Sequence, residues 1–184
     1  MPEPPLILVT NDDGVRSPGL HAAAEAVAGL GDLLLVAPAD ALGIPAIAAA
    51  ITAQVSEWRT FGAVDWTAAR HFTRLLARQV LENGMPEGVS VLNLNVPRGA
   101  TTGTELRRTV QDQQPYYVRQ APKQARPLGR PYQLPVAVVV DRDRLEPGTD
   151  IHAIVCDQVA SVTPLTWQLT ARTDWVPPAG AAEA

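Results

Sequence analysis

The chain has 184 residues, 46% of them hydrophobic and 18% charged, which suits one domain with a sizeable core. Its net charge of −4 argues against the basic surface that a nucleic-acid polymer demands, though not against a mononucleotide whose phosphate meets a metal. The single cysteine, Cys156, leaves no internal disulfide and suits a reducing, cytoplasmic setting; no apolar run is long enough for a bilayer, and the opening MPEPP predicts no secretory signal.

The apolar run Leu6-Ile7-Leu8-Val9 predicts a buried strand. Thr10, Asn11, Asp12, Asp13 and Gly14 follow as an acidic loop, and Ser17-Pro18 opens a helix, with Ser17 as N-cap and Pro18 at the first helical position. Leu20, Ala23, Ala24 and Val27 give that helix an apolar face over residues 18–29, and Gly29 and Gly31 mark its end. Residues 33–37 form a second apolar run closed by Pro38, so the opening is one βαβ unit with parallel strands.

Residues 43–51 are almost all apolar and predict a strand covered on both faces. Residues 52–62 read as loop, with Trp58 and Phe61 as packing residues. Asp65 caps a helix expected over residues 66–83, with Ala69, Phe72, Leu75, Leu76 and Val80 as its stripe and Asn83-Gly84 as its end. Residues 89–96 alternate as a sheet strand that contains Asn93 and Asn95 and stops at Pro97.

From residue 98 to 135 the chain turns polar and basic, broken by the prolines at 115, 122, 127 and 131 and interleaved with Tyr116, Tyr117 and Tyr132. It reads as a surface arm. Residues 136–140 are β-rich, residues 146–150 form a turn, and residues 151–155 and 159–169 are β-rich again. His21, His71 and His152 have no second ligand near them and receive no catalytic or metal role. The organisation expected is a single domain: an α/β core over 1–97, an arm over 98–140, a β-rich part over 141–176 and a tail over 177–184.

Chemistry concentrates in the first loop. Asp-Gly is a common turn pair, and Asp favours loops in any case. Yet adjacent carboxylates repel unless a cation or donors compensate, and a capped helix follows where a hairpin would need a strand. The carboxyl end of a strand in an open α/β sheet is where ligands bind, and paired carboxylates there suit a hard divalent cation. A haloacid-dehalogenase-like phosphatase would need aspartates one residue apart, which adjacent Asp12-Asp13 does not supply.

TNDDG after a short strand, followed by SPGL, resembles the amino terminus of the SurE family of metal-dependent nucleotidases. LGIPAIA at residues 42–48, NLNVP at 93–97 and EPGTDIHAIVCDQVASVTPLTWQLT from 146 resemble the same family in the same order. The resemblance implies a Rossmann-like, mainly parallel three-layer α/β sheet with a β-rich arm. It implies hydrolysis of nucleoside monophosphates, as a 5′-nucleotidase with 3′-nucleotidase activity as a second expectation. Asp12 and Asp13 would hold Mg²⁺ or Mn²⁺, Asp12 would carry catalysis, and Asn11 would bind phosphate or order the loop. The partner implied is a second copy of the chain, in a homodimer or dimer of dimers built through the arm at 98–140, with no nucleic-acid polymer and no membrane.

The sequence departs from the family after Asp40. The family continues there through a serine-bearing loop and a middle segment with SGxNxGxN and SGT loops. Here Ala41-Leu42-Gly43-Ile44-Pro45 follows directly. Two expectations stand side by side: a nucleotidase whose middle segment lies outside this numbering, or a catalytically incomplete scaffold that binds metal or dimerises.

Overall fold

The computed structural model describes residues 4–10, 17–35, 46–52, 64–119 and 136–166. In chain order these form β1 (Leu6–Val9), α1 (Pro18–Val27), β2 (Asp32–Leu35), β3 (Ala46–Ile51), α2 (Thr67–Asn83), β4 (Val91–Val96), β5 (Leu106–Arg108), β6 (Tyr117–Arg119), β7 (Val136–Val138), α3 (Asp150–His152) and β8 (Ala160–Leu165). The result is a mixed α/β fold in which three of the five strand pairings are parallel.

β1, α1 and β2 form the expected βαβ unit, with Leu6 paired to Asp32 and Val9 to Leu35 in parallel register. Pro18 occupies the first turn of α1, where an N–H would have no helical partner. Val9, Leu20 and Val27 pack with Ala77 of α2, flanked by Ile7, Ala23, Ala24, Leu30 and Leu33. The strand expected to be buried is only partly so: among the described residues this sheet has two strands with α1 on one side, Leu6 is 70% exposed, and Leu34 and Leu35 are exposed. Gly31 is required at the start of β2. A Cβ there would lie 2.1 Å from the Pro5 carbonyl oxygen, which accepts the Asp32 N–H at 2.9 Å.

The larger sheet has the order β3-β4-β8-β5. β3 and β4 are parallel, β8 runs antiparallel to β4, and β5 runs parallel to β8. α2 covers one face. Ala68, Ala69, Phe72 and Leu76 pack on Leu92, Leu94, Val96 and Ala160, which forms the main core. Burial of such apolar area contributes about 25 cal/mol per Å² removed from water, and this cluster has more buried residues than the one around Val9 and Leu20. The helix ends as expected, with Gly84 at φ 77° donating its N–H to the Val80 carbonyl.

Several expectations are corrected. Leu75 is 48% exposed; Ala68, Ala69, Phe72, Leu76 and Ala77 set the buried face of α2, and Leu75 turns away from it. β3 is not covered on both faces: it is an edge strand of its sheet among the described residues, and Ala48, Ala49 and Ala50 are exposed. Residues 151–155 are helical, not extended. Thr149 accepts the His152 N–H and Asp150 Oδ1 accepts the Ile151 N–H, and these local bonds override the β preference of Ile and Val. α3 therefore runs into a π-helical turn over Ala153–Asp157, closed by Gln158 at φ 55°.

Part of the stretch expected as the arm lies in the larger sheet. β5 belongs to the larger sheet, and the Thr109 hydroxyl bonds both Ser161 and Thr163 at 2.8 Å on its buried polar face. The strand at Val136–Val138 finds its partner within the chain, antiparallel to Tyr117–Arg119. Trp58 and Phe61 lie outside the described residues.

Candidate functional site

The loop that carries Asn11, Asp12 and Asp13 joins β1 to α1, and these three residues lie outside the described residues. Its two anchors are described. Thr10 follows the last residue of β1, and its Oγ1 is buried with no hydrogen-bond partner. Ser17 stands at the N-cap of α1 with extended backbone, 7% exposed, and its side chain makes no capping bond. A strand end and a helix start thus flank the acidic loop with two hydroxyls, neither engaged in a cap.

α1 and α2 run side by side in one direction: Trp66, just before α2, meets Gly19 near the start of α1, and Arg74 further along α2 reaches the end of α1. A Cβ on Gly19 would sit 3.5 Å from the Trp66 ring, which places the two starts in contact. A shallow cleft opens there, lined by Pro18, His21, Glu25, Asp65, Trp66 and Arg70. Asp65 Oδ1 accepts the Thr67 N–H at 2.9 Å. Hydrogen bonds from Thr67, its side chain first and its backbone second, hold the Asp65 carboxyl below the ordinary carboxylate range. Arg70 pairs with Glu25 across the helices. One turn further on, Arg74 Nη1 donates to the carbonyls of Ala26 at 2.8 Å and Ala28 at 2.9 Å, satisfying the open end of α1.

A second polar cluster lies at the far end of the larger sheet. Asp150, 9% exposed, accepts the N–H groups of Asp112 and Ile151 through Oδ1. Asp112 Oδ2 is buried without a partner. Arg107 pairs with Glu105 and with Asp157, and both carboxylates, Glu105 foremost, raise its pKa. His152 Nδ1 stands 3.3 Å from Asp157 Oδ2 without the alignment of a hydrogen bond. His21 and His71 are exposed, as expected of surface histidines, and His71 lies edge-on to Phe72. Among the described residues no group of three or more His, Cys, Asp or Glu side chains could hold a metal ion. No helix among them is long and apolar enough to cross a membrane. The cleft has one faint signal in the sequence, Asp65-Trp66 at a helix start, which reads as capping alone.

A family model described as Survival protein SurE matches residues 7–42. The 5′-nucleotidase SurE of Thermococcus kodakarensis is 37% identical over 135 residues, which is 72% of this chain and 50% of that protein. The 5′-nucleotidase SurE of Thermococcus gammatolerans is 38% identical over 136 residues, 72% of this chain and 49% of that protein. That of Methanocella arvoryzae is 35% identical over 161 residues, 83% of this chain and 58% of that protein. The chain spans about half the length of the curated relatives it matches. A crystal structure of the SurE protein from Aquifex aeolicus superposes with a TM-score of 0.66 at 20% identity, covering 90% of this chain and 95% of that one, which shows the fold.

Proposed function

We infer, for a chain that belongs to the SurE family, a divalent-metal-dependent phosphatase that hydrolyses nucleoside monophosphates to nucleoside and phosphate. The observation that carries this reading is the TNDDG loop between β1 and α1, at the carboxyl end of a parallel strand. Asp12 and Asp13 would hold Mg²⁺ or Mn²⁺ through carboxylate oxygens, the donor type both ions favour. Such an ion supplies charge neutralisation at the phosphoryl oxygens and activation of water. The donor set fits: two adjacent carboxylates need compensation, and the unpaired Thr10 hydroxyl at the strand end leaves a polar group available to whatever enters the loop.

Asn11 would donate its amide N–H to a phosphoryl oxygen. Ser17 and the first N–H groups of α1 would add donors at the helix start that follows the loop in the chain. The setting proposed is the cytoplasm, which the lone Cys156 suits. The assembly proposed is a homodimer or dimer of dimers through the arm at 98–140, whose tyrosines and arginines are residue types enriched at interfaces.

A second reading is favoured by one observation, the half-length match to the relatives. In it the chain is a catalytically incomplete protein that binds metal or dimerises without turnover. Intact mass and Mn²⁺-dependent hydrolysis of AMP, measured on the same sample, separate the two. At a verified mass of 19.6 kDa, turnover near the ordinary enzyme range of about 1–10³ per second supports the phosphatase. Metal binding without turnover supports the scaffold.

A further inference from the structure

We propose that the cleft between the starts of α1 and α2 is a ribonucleoside subsite, in which Trp66 stacks the base and Asp65 accepts the ribose hydroxyls. The inference rests on the phosphatase reading for its link to catalysis, and on the cleft alone for binding. Three observations carry it. First, the lining combines one large aromatic ring with two carboxylates, Glu25 and Asp65. The one guanidinium, Arg70, is already paired with Glu25. That charge disfavours a phosphate and suits an uncharged group rich in hydroxyls.

Second, both recognition groups are positioned before any ligand arrives. Trp66 is partly buried against the main core and lies against Gly19 of α1. Asp65 is fixed by the Thr67 N–H at 2.9 Å. A carboxylate offers about four acceptor positions, so a vicinal diol can still be bound. Third, Pro18 forms part of the wall and is the first residue of the helix that the acidic loop enters. In chain order the cleft wall thus follows directly on the acidic loop. An aromatic face tolerates any base, so the subsite selects for ribose over base identity.

The experiment is calorimetry on the full 184-residue chain without metal, using adenosine, 2′,3′-dideoxyadenosine and spermidine as probes. Adenosine is expected to bind and spermidine not to compete. Trp66→Ala weakens adenosine by about tenfold, while Trp66→Phe retains most of the binding. Asp65→Asn keeps the cap of α2 but removes the anionic acceptor, so adenosine falls to the affinity of the dideoxy compound. If Trp66→Ala does not fold, the Asp65→Asn comparison decides alone. Absent adenosine binding, an unchanged ribose preference in Asp65→Asn, or displacement of adenosine by spermidine overturns the subsite. AMP turnover is scored separately. Turnover with an unchanged KM in Asp65→Asn leaves the phosphatase standing and removes the subsite, while adenosine binding without turnover does the reverse.

Discussion

The hydroxyls of Thr109 and Ser161 lie 2.8 Å apart, both buried, where the chain leaving β5 crosses β8. Thr163 completes the group at 2.8 Å from the same Thr109 oxygen. Each hydroxyl is shut off from water, so the trio is stabilising only while it is complete. Thr109→Val is expected to cost about 1–3 kcal/mol, read as a lower urea midpoint at constant slope. Replacing all three hydroxyl residues by apolar isosteres should cost less than the sum of the single changes, because no orphan remains.

Arg74 and Arg70 make opposite predictions from neighbouring turns of α2. Arg74 satisfies two carbonyls at the end of α1, so Arg74→Met should cost about 1–2 kcal/mol. The Arg70–Glu25 pair is largely exposed, so Arg70→Met should cost about 0–1 kcal/mol. Chemical denaturation of the two variants checks the order, and raising salt should diminish only the Arg70 effect.

Two glycines are expected to differ for physical reasons. At Gly84, φ 77° and ψ 173° with open space around it, alanine meets only backbone strain of about 1–3 kcal/mol. At Gly31 a Cβ would collide with backbone at 2.1 Å. The β1–β2 pairing must shift, at a cost of about 2–3 kcal/mol or more. Amide exchange of Asp32, whose N–H bonds Pro5, should quicken in Gly31→Ala and not in Gly84→Ala.

Asp65 gives a pH dependence of known sign. Its carboxyl titrates below its unfolded value because Thr67 bonds the charged form. The stabilisation is present above the unfolded pKa and is lost as pH falls through the depressed folded value, in the region below about pH 4. Melting temperature should fall across that window in the parent chain. Asp65→Asn, which keeps a capping oxygen without the charge, should flatten that part of the curve.

Removal of metal tests the acidic loop. Chelation should abolish any AMP hydrolysis, and Mn²⁺ should restore it. Asp12→Asn is expected to be the more damaging single change, and the Asp12→Asn, Asp13→Asn double variant should lose measurable Mn²⁺ affinity by calorimetry. Unchanged affinity in the double variant would remove the site assignment.

The sequence was most legible where one periodicity acted alone. β1, α1, α2 and β4 follow from apolar spacing bounded by Ser17, Pro18, Gly84 and Pro97. It misled where local bonding opposed propensity. Residues 151–155 look like strand, yet Thr149 and Asp150 engage the first N–H groups and wind the segment into a helix. It also misled on exposure. An alanine-rich run reads as covered on both faces, but whether a strand lies at an edge is a property of sheet order, which spacing does not encode. The acidic loop reads as chemistry from its adjacent carboxylates alone, and its residues lie outside those described. The cleft does not show in the sequence, because Trp66 and Gly19 meet only through the packing of helices from distant parts of the chain.

The position of β8 has a consequence for how the molecule is made. Residues 160–165 bridge two strands that do not pair with each other, pairing with residues 91–95 on one side through 161–165 and with 106–108 on the other through 160–162. A ribosome delivers β1, α1 and β2 early, and that unit closes on short-range contacts. The larger sheet, among the described residues, must wait with two of its three strand pairings unmade until β8 emerges. During that interval β4, whose Leu94 and Val96 end as fully enclosed side chains, is open to other chains. Stalled or truncated synthesis before residue 160 should therefore yield aggregates rather than a smaller folded protein.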